Sequence, residues 1–195
     1  MANTTNGTEQ KPAMTYKNLG SSGLKVSKII VGAMSYGSPK WQEWILDEEQ
    51  SLPLLKHAYD CGINTWDTAD VYSNGLSERI IRKAIEKYEI PRSKLVIMSK
   101  CFFGLDNSGA QPRIAPMSSN SGELVNQVGL SRKHIFDAVE ASYERLGTYI
   151  DVLQIHRLDR SVPPKEIMKA LNDVIEKGWV RYIGASSMAT WEFQK

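Results

Sequence analysis

The chain has 195 residues, 42% hydrophobic and 24% charged, an ordinary globular balance that excludes a disordered polar chain. Its 24 Lys and Arg nearly balance 22 Asp and Glu, and no basic stripe interleaved with aromatics is visible, which argues against a nucleic-acid partner. No apolar run approaches the roughly 18–20 residues that span a bilayer, and the first residues lack the charged-then-apolar pattern of a secretion signal.

Residues 1–13 are polar and patternless and read as a disordered tail, leaving residues 14–195 as one domain. Tyr16-Lys17-Asn18-Leu19 and Leu24-Lys25-Val26-Ser27 flank Gly20-Ser21-Ser22-Gly23, which predicts a small hairpin over residues 14–27. A dinucleotide-binding GxGxxG fails there, because the spacing is wrong and no helix follows. Strand–helix units are expected from residue 28 onward. Ile29, Ile30 and Val31, ending at Gly32, predict a buried strand. Asp47-x-x-Gln50 predicts a capping box, and Leu52, Leu55, Ala58 and Tyr59 recur at helical spacing until Gly62. Pro53 sits a turn inside that helix and is expected to kink it or move its start.

The plan then repeats. Ile63-Asn64-Thr65-Trp66 reads as a strand with Asp67 at its end, and Ser77 as the cap of a helix whose apolar face is Ile81, Ala84, Ile85 and Tyr88. Leu95-Val96-Ile97-Met98 is a third buried strand, ending in Ser99-Lys100. A long polar stretch over residues 103–130 follows, of the length usual for a functional lid. Ser131 caps a helix that Gly147 closes. Val152-Leu153-Gln154-Ile155 is a fourth strand, with His156 at its end. Pro163-Pro164 opens a helix ending at Gly178. Residues 180–183 form a fifth strand ending in Gly184-Ala185-Ser186-Ser187, and a last helix begins at Thr190. Cys61 and Cys101 form no CxxC and read as free thiols of a reducing compartment, so a cytoplasmic protein is expected. His57, His134 and His156 share no ligand spacing, so no metal site is expected.

Strands alternating with helices mean parallel βα units. No glycine fingerprint favours a Rossmann sheet, whereas ionisable residues recur at the C-terminal ends of successive strands, where a (β/α)₈ TIM barrel keeps its active site. Only about the first five of its eight units are read here. Asp67, Tyr72, Lys100 and His156 all point to that rim. Singly, each has a bland explanation: a cap, a surface ring, a snorkelling lysine, a satisfied core histidine. Together they make chance placement improbable.

Gly62-Ile63-Asn64-Thr65-Trp66-Asp67-Thr68-Ala69-Asp70-Val71-Tyr72, Ile97-Met98-Ser99-Lys100, Leu153-Gln154-Ile155-His156-Arg157 and Gly184-Ala185-Ser186-Ser187 resemble the ordered signatures of the aldo-keto reductases. The phrasing around Ser73-Asn74-Gly75-Leu76-Ser77-Glu78 is most similar to fungal aryl-alcohol dehydrogenase-like members. The resemblance implies a TIM barrel that moves hydride between NADP(H) and a small-molecule carbonyl or alcohol. It implies Tyr72 as proton donor, Lys100 and Asp67 as its tuning pair, and His156 as the group that orients substrate. Asp67, Ser186 and Ser187 are implied on the cofactor, with the two serines against the nicotinamide carboxamide. The cofactor's phosphates are implied on loops after the last two barrel strands, beyond the five units read here.

Elementary chemistry supports those roles. Hydride addition to a carbonyl leaves a developing alkoxide that needs a proton. A free tyrosine, near pKa 10, gives one reluctantly. An ammonium about 4 Å from a phenol favours the phenolate by up to about 4 kcal/mol at an effective dielectric of 20, and a carboxylate keeps that ammonium charged against desolvation. Two rivals remain. One is a non-catalytic, C-terminally truncated reductase fragment lacking most of the cofactor site. The other is a Schiff-base enzyme built on Lys100, which the Asp67–Tyr72 spacing disfavours.

Overall fold

The computed structural model describes residues 13–105 and 119–194. The polar tail up to residue 12 and residues 106–118 of the expected lid lie outside the described residues, as does Lys195. The hairpin forms as read: β1 (Tyr16–Asn18) pairs antiparallel with β2 (Lys25–Ser27). The Tyr16 hydroxyl donates to the Gly62 carbonyl at 2.8 Å, and the Ser27 N–H donates to Asn64 Oδ1 and Thr65 Oγ1 at 3.1 Å each. These bonds pin the hairpin across the N-terminal ends of the strands that follow.

Five parallel strands then run in sequence order: β3 (Val31–Gly32), β4 (Thr65–Asp67), β5 (Val96–Cys101), β6 (Ile150–Ile155) and β7 (Val180–Ala185). The intervening helices are α1 (Glu48–Asp60), α2 (Leu76–Lys87), α3 (Arg132–Leu146) and α4 (Pro164–Glu176), and a short α5 (Thr190–Phe193) follows β7. The fold is α/β, with five βα units. Each of the first three helices packs on the next, and α1 to α4 lie on one face of the sheet.

The alternation of strand side chains assigns the two faces. Trp66, Ile97, Leu153 and Ile155 join Leu55, Ile80, Ile81, Ile135, Val139, Leu171 and Val174 in one buried core. Parallel register places Asp67, Met98, Val152 and Tyr182 in one row of the sheet, and Lys100, Gln154 and Gly184 in the next row toward the C-terminal end. These two rows have the parity opposite to that of the helix-facing Trp66, Ile97 and Leu153, so they look away from the helices.

Several expectations need correcting. Ile29 and Ile30 do not form a buried strand; they are 59% and 42% exposed, and β3 begins only at Val31. The Ser27 hydroxyl donates to the Ile29 carbonyl at 2.6 Å and holds a bend there, so the apolar pair never reaches the ladder. Helix α1 starts at the Asp47–Gln50 capping box and continues through Pro53, so the proline does not move its start. Ser77 does not cap α2. The cap position is Gly75 in the left-handed region, and the buried Ser77 hydroxyl instead donates to the Ala33 carbonyl at 2.7 Å while pairing with Thr68 Oγ1. Ser131 caps α3 by accepting from the His134 N–H, as read. Beyond the undescribed residues, the polar stretch includes a 3₁₀ turn at Gly122–Leu124 and buries Val128 and Leu130.

Candidate active site

Asp67, Tyr72, Lys100 and His156 converge at the C-terminal rim on the sheet face away from the helices. Asp67 is the last residue of β4 and Lys100 the fifth of β5, inside that strand rather than after it. His156 follows β6 directly, and its N–H donates to the Cys101 carbonyl at 3.0 Å, extending the ladder by one rung. Beyond β4, the Thr68 and Asp70 N–H groups donate to the Met98 and Lys100 carbonyls, so the chain climbs beside β5 before it turns at Tyr72.

The Lys100 ammonium is the hub. Nζ donates to Asp67 Oδ2 at 2.5 Å, to the Thr68 carbonyl at 2.9 Å and to the Tyr72 hydroxyl at 3.4 Å. Lys100 is 6% exposed and Tyr72 9%, so the charged pair meets the phenol largely out of water. The other Asp67 oxygen accepts from Gln154 Nε2 at 2.9 Å. Gln154 is a site residue that the sequence reading passed over. Its signal was parity: it lies in β6 two residues before His156, and its backbone pairs with Lys100.

His156 is 6% exposed and meets the Tyr72 ring edge-on, with centroids 5.7 Å apart. Burial first, then the charges of Lys100 and Arg157, push its pKa down to about 3, so the imidazole is neutral across the physiological range. Its Nδ1 is buried without a hydrogen-bond partner among the described residues. Trp41, from the segment after β3, packs with Ile45, Ala69, Val71 and Tyr72, and Phe103 stands edge-on to His156 at 5.1 Å. Those aromatic walls were also not singled out from the sequence.

Ser186 and Ser187 sit past the end of β7, with their hydroxyl oxygens 3.1 Å apart and Ser187 at φ 49°. They are on the same rim, and among the described residues no hydrogen bond joins them to the Lys100 cluster. Tyr72 begins a tight turn in which Ser73, Asn74 and Gly75 take φ of 49°, 53° and 81° in succession. Left-handed backbone costs a non-glycine residue roughly 1–2 kcal/mol, so such a run persists only where its surroundings enforce it. The Ser38 N–H donates to Ser73 Oγ at 3.1 Å, and a Cβ on Gly37 would lie 2.0 Å from that oxygen. Asp70 is fully buried just before the turn, and burial together with the Glu78 charge pushes its carboxyl well above the usual range. A cavity of about 670 Å³ opens at the opposite end of the strands, beside Tyr16, Asn64 and Tyr149, and holds none of these groups.

The Aldo/keto reductase family model matches residues 28–195. The chain is 65% identical over 184 residues to versiconal hemiacetal acetate reductase of Aspergillus parasiticus, covering 93% of this chain and 53% of that one. It is 57% identical over 186 residues to an aryl-alcohol dehydrogenase-like protein of Schizosaccharomyces pombe, covering 91% and 53%. An aldo-keto reductase of Bacillus halodurans, solved in its holo form, superposes with a TM-score of 0.74 at 27% identity, covering 93% of this chain and 53% of that one. The chain thus spans about half the length of the relatives it matches.

Proposed function

The chain belongs to the aldo/keto reductase family, and from that premise we propose that it carries the acid–base half of an NADP(H)-dependent site interconverting aldehydes or ketones with alcohols. The observation that carries this reading is the Lys100 ammonium held between Asp67 and the Tyr72 hydroxyl, 2.5 Å from one and 3.4 Å from the other. In carbonyl reduction Tyr72 Oη hands its proton to the carbonyl oxygen as negative charge builds there. The ammonium stabilises the phenolate left behind, and Asp67, braced by Gln154, keeps that ammonium charged and in place. Neutral His156 supplies a ring N–H to the same carbonyl oxygen, aiming it at Tyr72. Trp41 and Phe103 wall the approach with aromatic surface, which suits an aromatic carbonyl. Lys100, tied to a carboxylate and a carbonyl, is a poor Schiff-base nucleophile.

The donor set fits a nicotinamide in one respect: the adjacent Ser186 and Ser187 hydroxyls match the acceptor and donors of a carboxamide. When bound, the dinucleotide supplies the hydride. The relatives' names, a reductase and an aryl-alcohol dehydrogenase-like protein, agree with a small-molecule carbonyl or alcohol substrate. No helix among the described residues is long and apolar enough to cross a membrane. The free thiols Cys61 and Cys101 suit the reducing cytoplasm.

The test is NADPH-dependent reduction of an aromatic aldehyde. Tyr72→Phe is expected to lower turnover by about 10²–10⁴-fold, the usual contribution of a general acid. A variant that keeps wild-type turnover would remove Tyr72 from the acid role.

A further inference from the structure

Between the rim and the helices lies a buried polar cluster that the reaction itself does not use. Glu78, fully buried on the first turn of α2, accepts from Ser99 Oγ at 2.6 Å through Oε1 and from Arg145 Nε at 2.6 Å through Oε2. Arg145 reaches in from α3 and also donates to Ser142 Oγ at 2.9 Å. The carboxylate therefore joins three elements. Its Ser99 partner is the residue before Lys100, pointing to the helix side of β5 while Lys100 points to the site. Its own helix begins just after the left-handed run that follows Tyr72.

The third contact closes the loop. Gly75 ends the left-handed run, and a Cβ there would lie 2.5 Å from Arg145 Cδ, so the arginine stem is pressed against the bare backbone of the turn. Glu78 and Ser142 hold the guanidinium in that position, and of the two only Glu78 also reaches the Lys100 strand. The Glu78–Arg145 pair thus grips the Tyr72 turn from one side and the Lys100 strand from the other.

We propose that Glu78 and Arg145 are positioning residues that set the separation between the Tyr72 hydroxyl and the Lys100 ammonium. The proposal deepens the proposed function and rests on its reading of Tyr72 and Lys100. It is distinct from a role in stability, since a buried ion pair is often replaceable by apolar groups at no cost to the fold. A positioning role requires the phenol's surroundings to change even in variants that remain folded.

Fluorine NMR of the 195-residue chain labelled with fluorotyrosine reads those surroundings without turnover. The Tyr72 resonance is assigned by its loss in Tyr72→Phe. Lys100→Met gives the displacement that follows when the ammonium is withdrawn. Glu78→Gln, and Glu78→Gln combined with Arg145→Met, are each expected to move the Tyr72 resonance by at least half that displacement. Arg145→Lys with Glu78 intact, which keeps a cation on the carboxylate, should leave the resonance much closer to its native position. Lys83→Ala, which breaks the exposed pair that joins α2 to Glu48 of α1, should leave the resonance in place. Ser99→Ala, the mildest change to the cluster, decides the matter if the charge variants do not fold.

Folded Glu78 or Ser99 variants with an unmoved Tyr72 resonance would overturn the proposal. So would unfolding of Ser99→Ala, which would make the cluster a foundation of the fold instead. If Lys100→Met itself leaves the resonance unmoved, the phenol–ammonium contact fails, and both the proposed function and this inference fall. That result is told apart from failure of the inference alone, in which only Lys100→Met moves the line.

Discussion

His156 and Asp70 are buried titratable groups whose pH effects run in opposite directions. The folded-state pKa of His156 is depressed from the ordinary 6.5 to about 3. As pH falls below 6.5 the unfolded chain takes up a proton that the folded imidazole refuses. Stability present above 6.5 is therefore lost toward pH 3, with a slope of at most about 1.4 kcal/mol per pH unit. His156→Gln is expected to flatten this limb, read as denaturant unfolding at pH 7 and pH 5; an unchanged slope would contradict it. Asp70 works the other way, because its folded value is raised above the ordinary 3.8 by burial and by Glu78. Its stabilising contribution is present below that ordinary value and is lost as pH rises through the folded one. Asp70→Asn keeps an oxygen for the Val71 N–H and is expected to raise the melting temperature at pH 7. The gain should shrink toward pH 4, and a gain that grows on acidification would refute the assignment.

At the scale of elements, the turn over residues 73–75 is the most constrained feature of the rim. Gly75 and Gly178 have nearly equal φ, 81° and 80°, yet only Gly75 faces a close neighbour, Arg145, while Gly178 faces open space. Gly178→Ala should therefore cost only the left-handed penalty of roughly 1–2 kcal/mol, and Gly75→Ala should cost more, because Arg145 must also move. Equal losses in urea unfolding would show that the close approach carries no weight. The Asn74-Gly75 pair is a local signal for such a turn that the sequence reading passed over, whereas the Arg145 and Ser38 contacts that hold it come from residues distant in sequence. The helices were legible because their apolar faces repeat locally and Asp47 and Ser131 cap within three residues. All five strands were located, but the first two were read as starting two residues early and the last three were read too short. Ladder pairing continues through Lys100, Gln154 and Gly184, past the apolar runs that mark the helix-facing residues. The four rim residues were legible because each follows or ends such a run, whereas Gln154, Glu78 and Arg145 required knowledge of which strands and helices are neighbours.

For the whole molecule, the sheet's two outer strands decide behaviour in solution. Among the described residues β3 and β7 each pair on one side only. The β3 edge is two residues long and offers little to pair with, but β7 runs for six residues, with Arg181 and Tyr182 exposed. An open edge presents unpaired N–H and C=O groups to other chains, and charged side chains are the usual defence. Arg181 is committed in part, donating to the Gly178 carbonyl at 2.7 Å and lying over the Tyr149 ring. A net charge of +2 supplies little repulsion between copies. The 195-residue chain is therefore expected to self-associate as concentration rises, and to bind NADPH weakly, since in this chain the fit to the cofactor rests on the two serines past β7. Sizing chromatography over a dilution series, with NADPH fluorescence titration on the same samples, tests both. A monomer at all concentrations with micromolar NADPH affinity would show that the β7 edge is protected and that these residues seat the cofactor tightly.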